Sequence, residues 1–201
     1  MKLYTIGYSG FPKLSEFIKK LTENNINTIY DVRSSPFSAQ FSQYNDNSYE
    51  FAKALNDAGI KRINFSREFG ARQENRKFYK NGRLDFEIFT QSPQFKEGFE
   101  KVFKGLESNS SVLLCAEKHP IDCHRCIMVA RKFYEAGADV VHLMPDGEQT
   151  QADVEMELLD IYFPNRYQAS LFEEQKSEEE MISEAYILQN DKIGFKEVNL
   201  R

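Results

Sequence analysis

The sequence predicts an α/β fold: a three-layer domain with a mainly parallel sheet flanked by helices, followed by an acidic C-terminal helical extension. Three observations carry this. Short apolar runs at residues 3–7, 28–32, 60–65, 111–116 and 139–144 alternate with segments of helical period, and such alternation implies parallel strands joined by right-handed crossovers. The run at 111–116 is apolar on both faces, as a strand covered by helices on both sides must be. The third is the chain's 201 residues, 41% hydrophobic with 17 Phe and ten Tyr, enough for a substantial core and contrary to disorder over most of the length. The domain is expected over residues 1–163 and the extension over 164–201.

Residues 3–7 end in Gly7; after Pro12, Leu14, Phe17, Ile18 and Leu21 fall at helical spacing. The strand at 28–32 runs into Arg33-Ser34-Ser35-Pro36, where regular pairing stops. Ser48 can cap a helix carrying Tyr49, Phe51, Ala52 and Leu55, which Gly59 ends before the third strand. Residues 66–83 have no clean period and read as one long loop, a length that tends to be functional or disordered. Phe95, Phe99, Val102, Phe103 and Leu106 mark an amphipathic helix before the buried strand. Ile127, Val129, Ala130, Phe133 and Tyr134 form the next helix, closed by Gly137. After the last strand, Pro145-Asp146-Gly147 makes a turn, and Val154, Leu158, Leu159 and Tyr162 line another helix, which Pro164 ends. Beyond lie Glu173-Glu174 and a capping-box pattern, Ser177 to Glu180, before Met181, Ile182 and Tyr186.

The net charge of −5 is a sum over unlike parts: residues 151–201 hold 5 Lys/Arg against 12 Asp/Glu, leaving 21 against 19 in residues 1–150. Eight cations fall between Lys61 and Arg83 against only Glu68 and Glu74. Such clustering presents a basic surface to an anion, or is merely solvated. No apolar run approaches the roughly 18 residues of a membrane helix, no signal-peptide core opens the sequence, and three Cys do not make a disulfide framework. A cytoplasmic protein with no membrane partner is expected.

Ligands of parallel α/β sheets sit outside the carboxyl ends of the strands. Those ends carry Gly7-Tyr8-Ser9, Arg33-Ser34 and the run from Cys115 through Glu117, Cys123 and His124 to Cys126. Asp122 or Cys123 falls near a helix N-cap, where free N–H groups and the helix dipole favour an anion and lower a thiol pKa. Asp31 and Arg33 share one strand face, so an internal ion pair competes with ligand binding for Arg33. Three chemistries contend. Arg33 and Arg125 can hold a phosphate or carboxylate while Glu117 or His124 moves a proton; Cys123-x-x-Cys126 has the spacing of a redox pair; and Cys115, His119, Cys123, His124 and Cys126 are donors to zinc. The zinc reading lacks a second paired-ligand knuckle, so no metal is assigned. Cys115, ending an apolar strand, reads as a small core residue, and His142 as a hydrogen-bonded core histidine.

Taken together, Thr5-Ile6-Gly7-Tyr8-Ser9, Asp31-Val32-Arg33-Ser34 with Pro36 and Ser38, Gly70 with Arg72, and Cys115-Ala116-Glu117 followed by Pro120 and Cys123-His124-Arg125 resemble the domain-of-unknown-function 488 family, in the family's order over about residues 3–145. The resemblance implies a cytosolic, mostly prokaryotic α/β domain whose motifs gather into one pocket, without naming a reaction. Tyr8 stands where many members carry His, Ala71 where a second Gly is common, and Cys126 lies outside the pattern, which lowers the redox-pair reading.

The functional expectation is therefore an anionic ligand, phosphorylated or nucleic-acid-like, bound by Ser9, Arg33, Ser34, Arg72 and Arg125, with Glu117, Cys123 and His124 as chemical groups. Cysteine-based redox or sulfur transfer is one alternative, and a partner-binding module without catalysis is another. No cofactor or oligomeric state is specified.

Overall fold

The structure is a computed structural model that describes residues 1–167 and 176–196. Strand β1 (Lys2–Gly7) leads to α1 (Leu14–Glu23), β2 (Thr28–Asp31), α2 (Tyr49–Asp57) and β3 (Lys61–Asn64). Then come α3 (Ser66–Phe69), a small hairpin of β4 (Tyr79–Lys80) and β5 (Arg83–Leu84), α4 (Phe86–Thr90), α5 (Pro93–Gly105) and β6 (Ser111–Cys115). A π-helical stretch, Arg125–Ala130, continues into α6 (Arg131–Glu135), followed by β7 (Asp139–Met144), β8 (Gly147–Thr150), α7 (Gln151–Tyr162) and α8 (Glu178–Ile193). The main sheet has the order β3-β2-β6-β1-β7-β8, parallel except for β8, which runs antiparallel along β7.

The sheet divides the core in two because side chains alternate across it. Val112 and Leu114 of β6 pack with Phe17 and Leu21 of α1 and Phe51 and Leu55 of α2. Leu113 and Cys115 face the other way, against Phe95, Val102, Ile127, Phe133, Leu158 and Tyr186. This two-sided burial is what the apolar run at 111–116 requires. Neighbouring strands β1 and β6 send their following helices to opposite faces, which opens a crevice at their carboxyl ends. The sequence's own stop signals set several helix starts. Ser48 and Ser92 accept hydrogen bonds from the N–H groups of Phe51 and Phe95, and Ser177 and Glu180 form a capping box on α8.

Residues 66–83 correct the expectation of one long loop. They hold α3, a 3-10 turn at Arg76–Phe78 and the β4–β5 hairpin, whose turn residues Asn81 (φ 52°) and Gly82 (φ 73°) lie in the left-handed region. Asn-Gly is the pair that a two-residue hairpin turn favours; the density of cations around it masks the signal. Residues 147–150 likewise form edge strand β8 where only a turn was expected. Helix α8 buries Ala185 and Tyr186 in the core, and its Asn190 accepts from Phe86 N–H and donates to the Leu84 carbonyl. Glu173-Glu174 lies outside the described residues. Among the described residues no helix is long and apolar enough to cross a membrane.

Candidate functional site

The crevice is a cleft of about 350 Å³ lined by Tyr8 from the end of β1, Arg33, Ser34 and Ser38 beyond β2, Arg72, Cys115 and Glu117 beyond β6, His124 and, from the C-terminal segment, Phe195. Gly7 permits its assembly. A Cβ there would stand 1.7 Å from the Glu117 carbonyl oxygen and 3.0 Å from Arg125 Nη1, so the loop carrying Glu117 can cross the end of β1 only over a glycine.

Cys115 and Glu117 lie two apart in sequence, and the Glu117 carboxyl turns back toward the sulfurs although the residue as a whole is exposed. Its Oε2 accepts from Cys115 Sγ at 3.2 Å and from Cys123 Sγ at 3.0 Å. Cys123 has extended backbone (φ −132°, ψ 134°), and its carbonyl accepts from the N–H groups of Cys126 and Ile127. Its sulfur therefore sits at a helix start. His124 Nε2 meets the Val32 carbonyl at 3.1 Å; a carbonyl only accepts, so Nε2 carries the proton and donates. That leaves Nδ1, 3.7 Å from Cys115 Sγ, as the atom facing the sulfurs. The two sulfurs, a Glu117 carboxylate oxygen and a His124 ring nitrogen all lie within 4.8 Å of one another, which makes them the donor set able to hold a metal ion.

The four groups pull one another apart electrostatically. Burial alone raises the Cys123 thiol, but the Cys115 hydrogen bond, the Arg125 charge and His124 outweigh it and hold Cys123 well below its ordinary value. Cys115 is pushed up by burial and by the neighbouring Cys123. Burial and Cys123 also raise Glu117. Burial would lower His124, yet Cys123 and Glu117 bring it above its usual range.

The expected ligand residues divide sharply. Arg33 lines the cleft, but its Nε and Nη2 donate to the two carboxylate oxygens of Asp31 at 2.8 and 2.6 Å, and Nη1 donates to the Tyr44 carbonyl. Arg125 is fully buried. Its Nε donates to Thr5 Oγ1, Nη1 to the Glu117 carbonyl at 2.6 Å and Nη2 to that of Lys118. Both guanidinium groups hold the framework of the cleft. Ser34 lines it, and its Oγ accepts from Arg72 N–H. Ser9 does not line it; its N–H bonds the Ala116 carbonyl and Tyr8 takes the lining position. Arg72 does, with its guanidinium stacked 4.8 Å from the Phe195 ring. Of the other cations between Lys61 and Arg83, Arg62 pairs with Asp46, Arg67 stands 3.9 Å from Glu97, and Arg83 reaches the Gly194 carbonyl.

Cys115 is buried as expected, but its company is not that of an inert core residue. The period of two placing Cys115 and Glu117 on one strand face was the available signal. Cys126 and His142 belong to a second, sealed cluster. Cys126 Sγ lies 3.6 Å from His142 Nε2 and in contact with Gln151, while His142 Nδ1 meets Thr5 Oγ1 at 2.7 Å. Burial, then the Arg125 charge, lowers the His142 pKa to about 3, and burial raises Cys126 to about 12. The C-x-x-C spacing thus joins two sulfurs that serve different clusters.

Fold and site define the class: an α/β protein with a cleft lined by thiol, carboxyl and imidazole groups where the helices following two neighbouring strands go to opposite layers. The chain belongs to the family described as Domain of unknown function DUF488, whose model matches residues 13–131. That span takes in Arg33, Arg72 and the Cys115–Glu117–Cys123–His124 cluster, while Gly7 and Tyr8 precede it. No curated protein and no solved structure matches the chain.

Proposed function

We propose that the cleft binds a small anionic ligand and carries out chemistry on it at the Cys115–Glu117–Cys123–His124 floor. The convergence of two sulfurs, a carboxyl group and an imidazole on the floor of a strand-end cleft carries this reading. Arg72 supports the anionic preference: it lines the cleft and its guanidinium rests on an aromatic face, which leaves its N–H edge for a ligand. Ser34, Ser38 and Tyr8 add hydroxyl groups. Arg33 and Arg125 serve by positioning, since their donors are engaged with Asp31, Thr5 and backbone carbonyls. A small ligand is favoured over nucleic acid because three arginines of the basic segment outside the cleft, Arg62, Arg67 and Arg83, are engaged with acidic or carbonyl groups. Dithiol chemistry in this cleft would use Cys115 with Cys123, which share one Glu117 oxygen, rather than Cys123 with Cys126.

Two electrophiles with the same leaving group test it. Iodoacetate is anionic and iodoacetamide neutral, and the modified cysteine is identified by peptide mass mapping. The ratio of their rates at the cleft cysteines should exceed that for free cysteine several-fold, and should fall in high salt and in Arg72→Ala. A ratio equal to that of free cysteine, unmoved by salt, overturns the proposal.

A further inference from the structure

We infer that Cys115, Glu117, Cys123 and His124 form a four-ligand site for a soft divalent cation of the zinc class. The inference rests on the reading of this cluster as the functional centre and deepens it by naming what the centre holds. Its donor atoms come from two short segments, the end of β6 with the two residues beyond it and the start of the following helix. In a tetrahedral site with bonds of about 2.0–2.3 Å, neighbouring donors stand roughly 3.3–3.8 Å apart. The edges here are 3.0 Å and 3.2 Å from Glu117 Oε2 to the two sulfurs and 3.7 Å from Cys115 Sγ to His124 Nδ1. These three edges need moves of a few tenths of an ångström or less, and all six lie within 4.8 Å.

The surroundings orient the ligands. Ligating histidines characteristically donate their second ring N–H to a carbonyl or carboxylate, which fixes the tautomer. His124 donates Nε2–H to Val32 and aims the other nitrogen at the sulfurs. Arg125 fixes the Glu117 backbone from behind. Two sulfurs and an imidazole select zinc-class ions over magnesium or calcium, which prefer oxygen.

Charge assigns the ligands different roles. On binding, both sulfurs coordinate as thiolates and His124 through an unprotonated Nδ1, and any proton these groups still carry passes to solvent. Two thiolates and a neutral imidazole already balance the ion. Glu117, facing the cleft, adds a negative charge and is the ligand that an incoming anion can replace. Three firm ligands and one exchangeable position are the pattern of catalytic rather than structural zinc sites. With the ion in place, Cys123 is a ligand and the reacting position is the one Glu117 vacates. Cys126, engaged with His142 and Gln151, lies outside the set.

The full chain, reduced and freed of metal by a chelator, is titrated with cobalt(II), a spectroscopic stand-in for zinc. The expected result is one equivalent bound, with a thiolate-to-cobalt charge-transfer band and intense tetrahedral d–d bands that zinc abolishes. Cys126→Ser should keep the band, Cys115→Ser and Cys123→Ser should lose most of it, and Glu117→Gln should keep the sulfur band with altered d–d bands. A wild-type readout guards against misfolded variants: zinc should slow iodoacetamide alkylation of Cys115 and Cys123 by about ten-fold or more while leaving Cys126 unaffected. No charge-transfer band in wild type, or no protection by zinc, overturns the inference. If the band is absent but the iodoacetate preference persists, the metal site fails and the anion-binding cleft stands. If the band is present without that preference, the metal site stands and the anion-binding cleft fails.

Discussion

Two clusters of sulfur and imidazole lie on either side of Arg125, and they are opposites. In the cleft, Cys123 is held low and His124 high. In the core, Cys126 is raised to about 12 and His142 lowered to about 3. The residue types match and both pairs are buried, so burial alone cannot explain the difference. Neighbours explain it: the Cys115 hydrogen bond, the Arg125 charge and His124 lower Cys123, and Cys123 and Glu117 raise His124. Cys126 and His142 instead bond the neutral hydroxyl and amide groups of Thr5 and Gln151, and the Arg125 charge does not overcome burial at Cys126. Low polarity favours neutral forms unless a partner charge or donor offsets the loss of water. Such partners overcome burial at Cys123 and His124, but not at Cys126 and His142.

The largest effect expected from this contrast is kinetic. With a pKa of about 12, Cys126 is ionised about three orders of magnitude less than free cysteine at pH 7. Iodoacetamide should therefore modify it at least that much more slowly than free cysteine in the native chain, and after Cys123. Labelling of Cys126 first, identified by mass mapping, would erase the distinction between the clusters.

Next in size is the residue between them. Arg125→Met leaves Thr5 Oγ1 and the carbonyls of Glu117 and Lys118 without their donors. An orphaned buried group costs about 1–3 kcal/mol; Thr5 Oγ1 keeps His142 Nδ1 and the two carbonyls belong to exposed residues, so urea denaturation should show a loss of about 1–3 kcal/mol. A loss below about 1 kcal/mol would mean that Arg125 is not what holds the two clusters apart.

The sealed cluster should also make stability depend on pH. The unfolded chain protonates His142 near its ordinary value of about 6.5, while the folded chain keeps it neutral down to about 3. Below pH 6.5 the unfolded state binds the extra proton, so stability falls on acidification, with a slope approaching about 1.4 kcal/mol per pH unit between the two values. Above 6.5 this contribution is constant. The groups facing His142 are Thr5, Cys126 and Gln151, with the Arg125 charge and Asp153 farther off. His142→Gln should reduce the slope between pH 6 and 4; an unchanged slope would show that His142 titrates normally.

Smallest is Arg72→Ala. Its guanidinium meets the Phe195 ring at the cleft wall, and surface changes of this kind usually stay within about 0.5 kcal/mol. Thermal unfolding should barely move while the iodoacetate preference falls. A large stability loss would make Arg72 a framework residue like Arg33 and Arg125.

Much of the fold was legible because its signals are local. The helix caps at Ser48 and Ser177, the Phe17–Leu21 spacing and the doubly apolar strand at 111–116 each involve residues a few positions apart, and each has its counterpart in the structure. The β4–β5 hairpin was legible too, in Asn81-Gly82, but is two residues per strand and lost among cations. The site was legible as a location, since parallel strands put ligands at their carboxyl ends. Its division of labour was not. Whether an arginine binds a ligand or a carbonyl depends on what meets its donors, and Arg125 meets Thr5, 120 positions away.

The sequence by itself determined the alternation of strands and helices, the family, and the gathering of Cys, His, Glu and Arg at one edge of the sheet. Tertiary structure decided which of those groups have their hydrogen-bonding capacity spent. It gave Cys123 to Glu117 and Cys115 rather than to Cys126, and turned His124 through a bond to Val32, 92 positions away. The physical reason is that charge and reactivity are set by contacts within a few ångströms, and those contacts come from strands and helices the sheet brings together from distant parts of the chain.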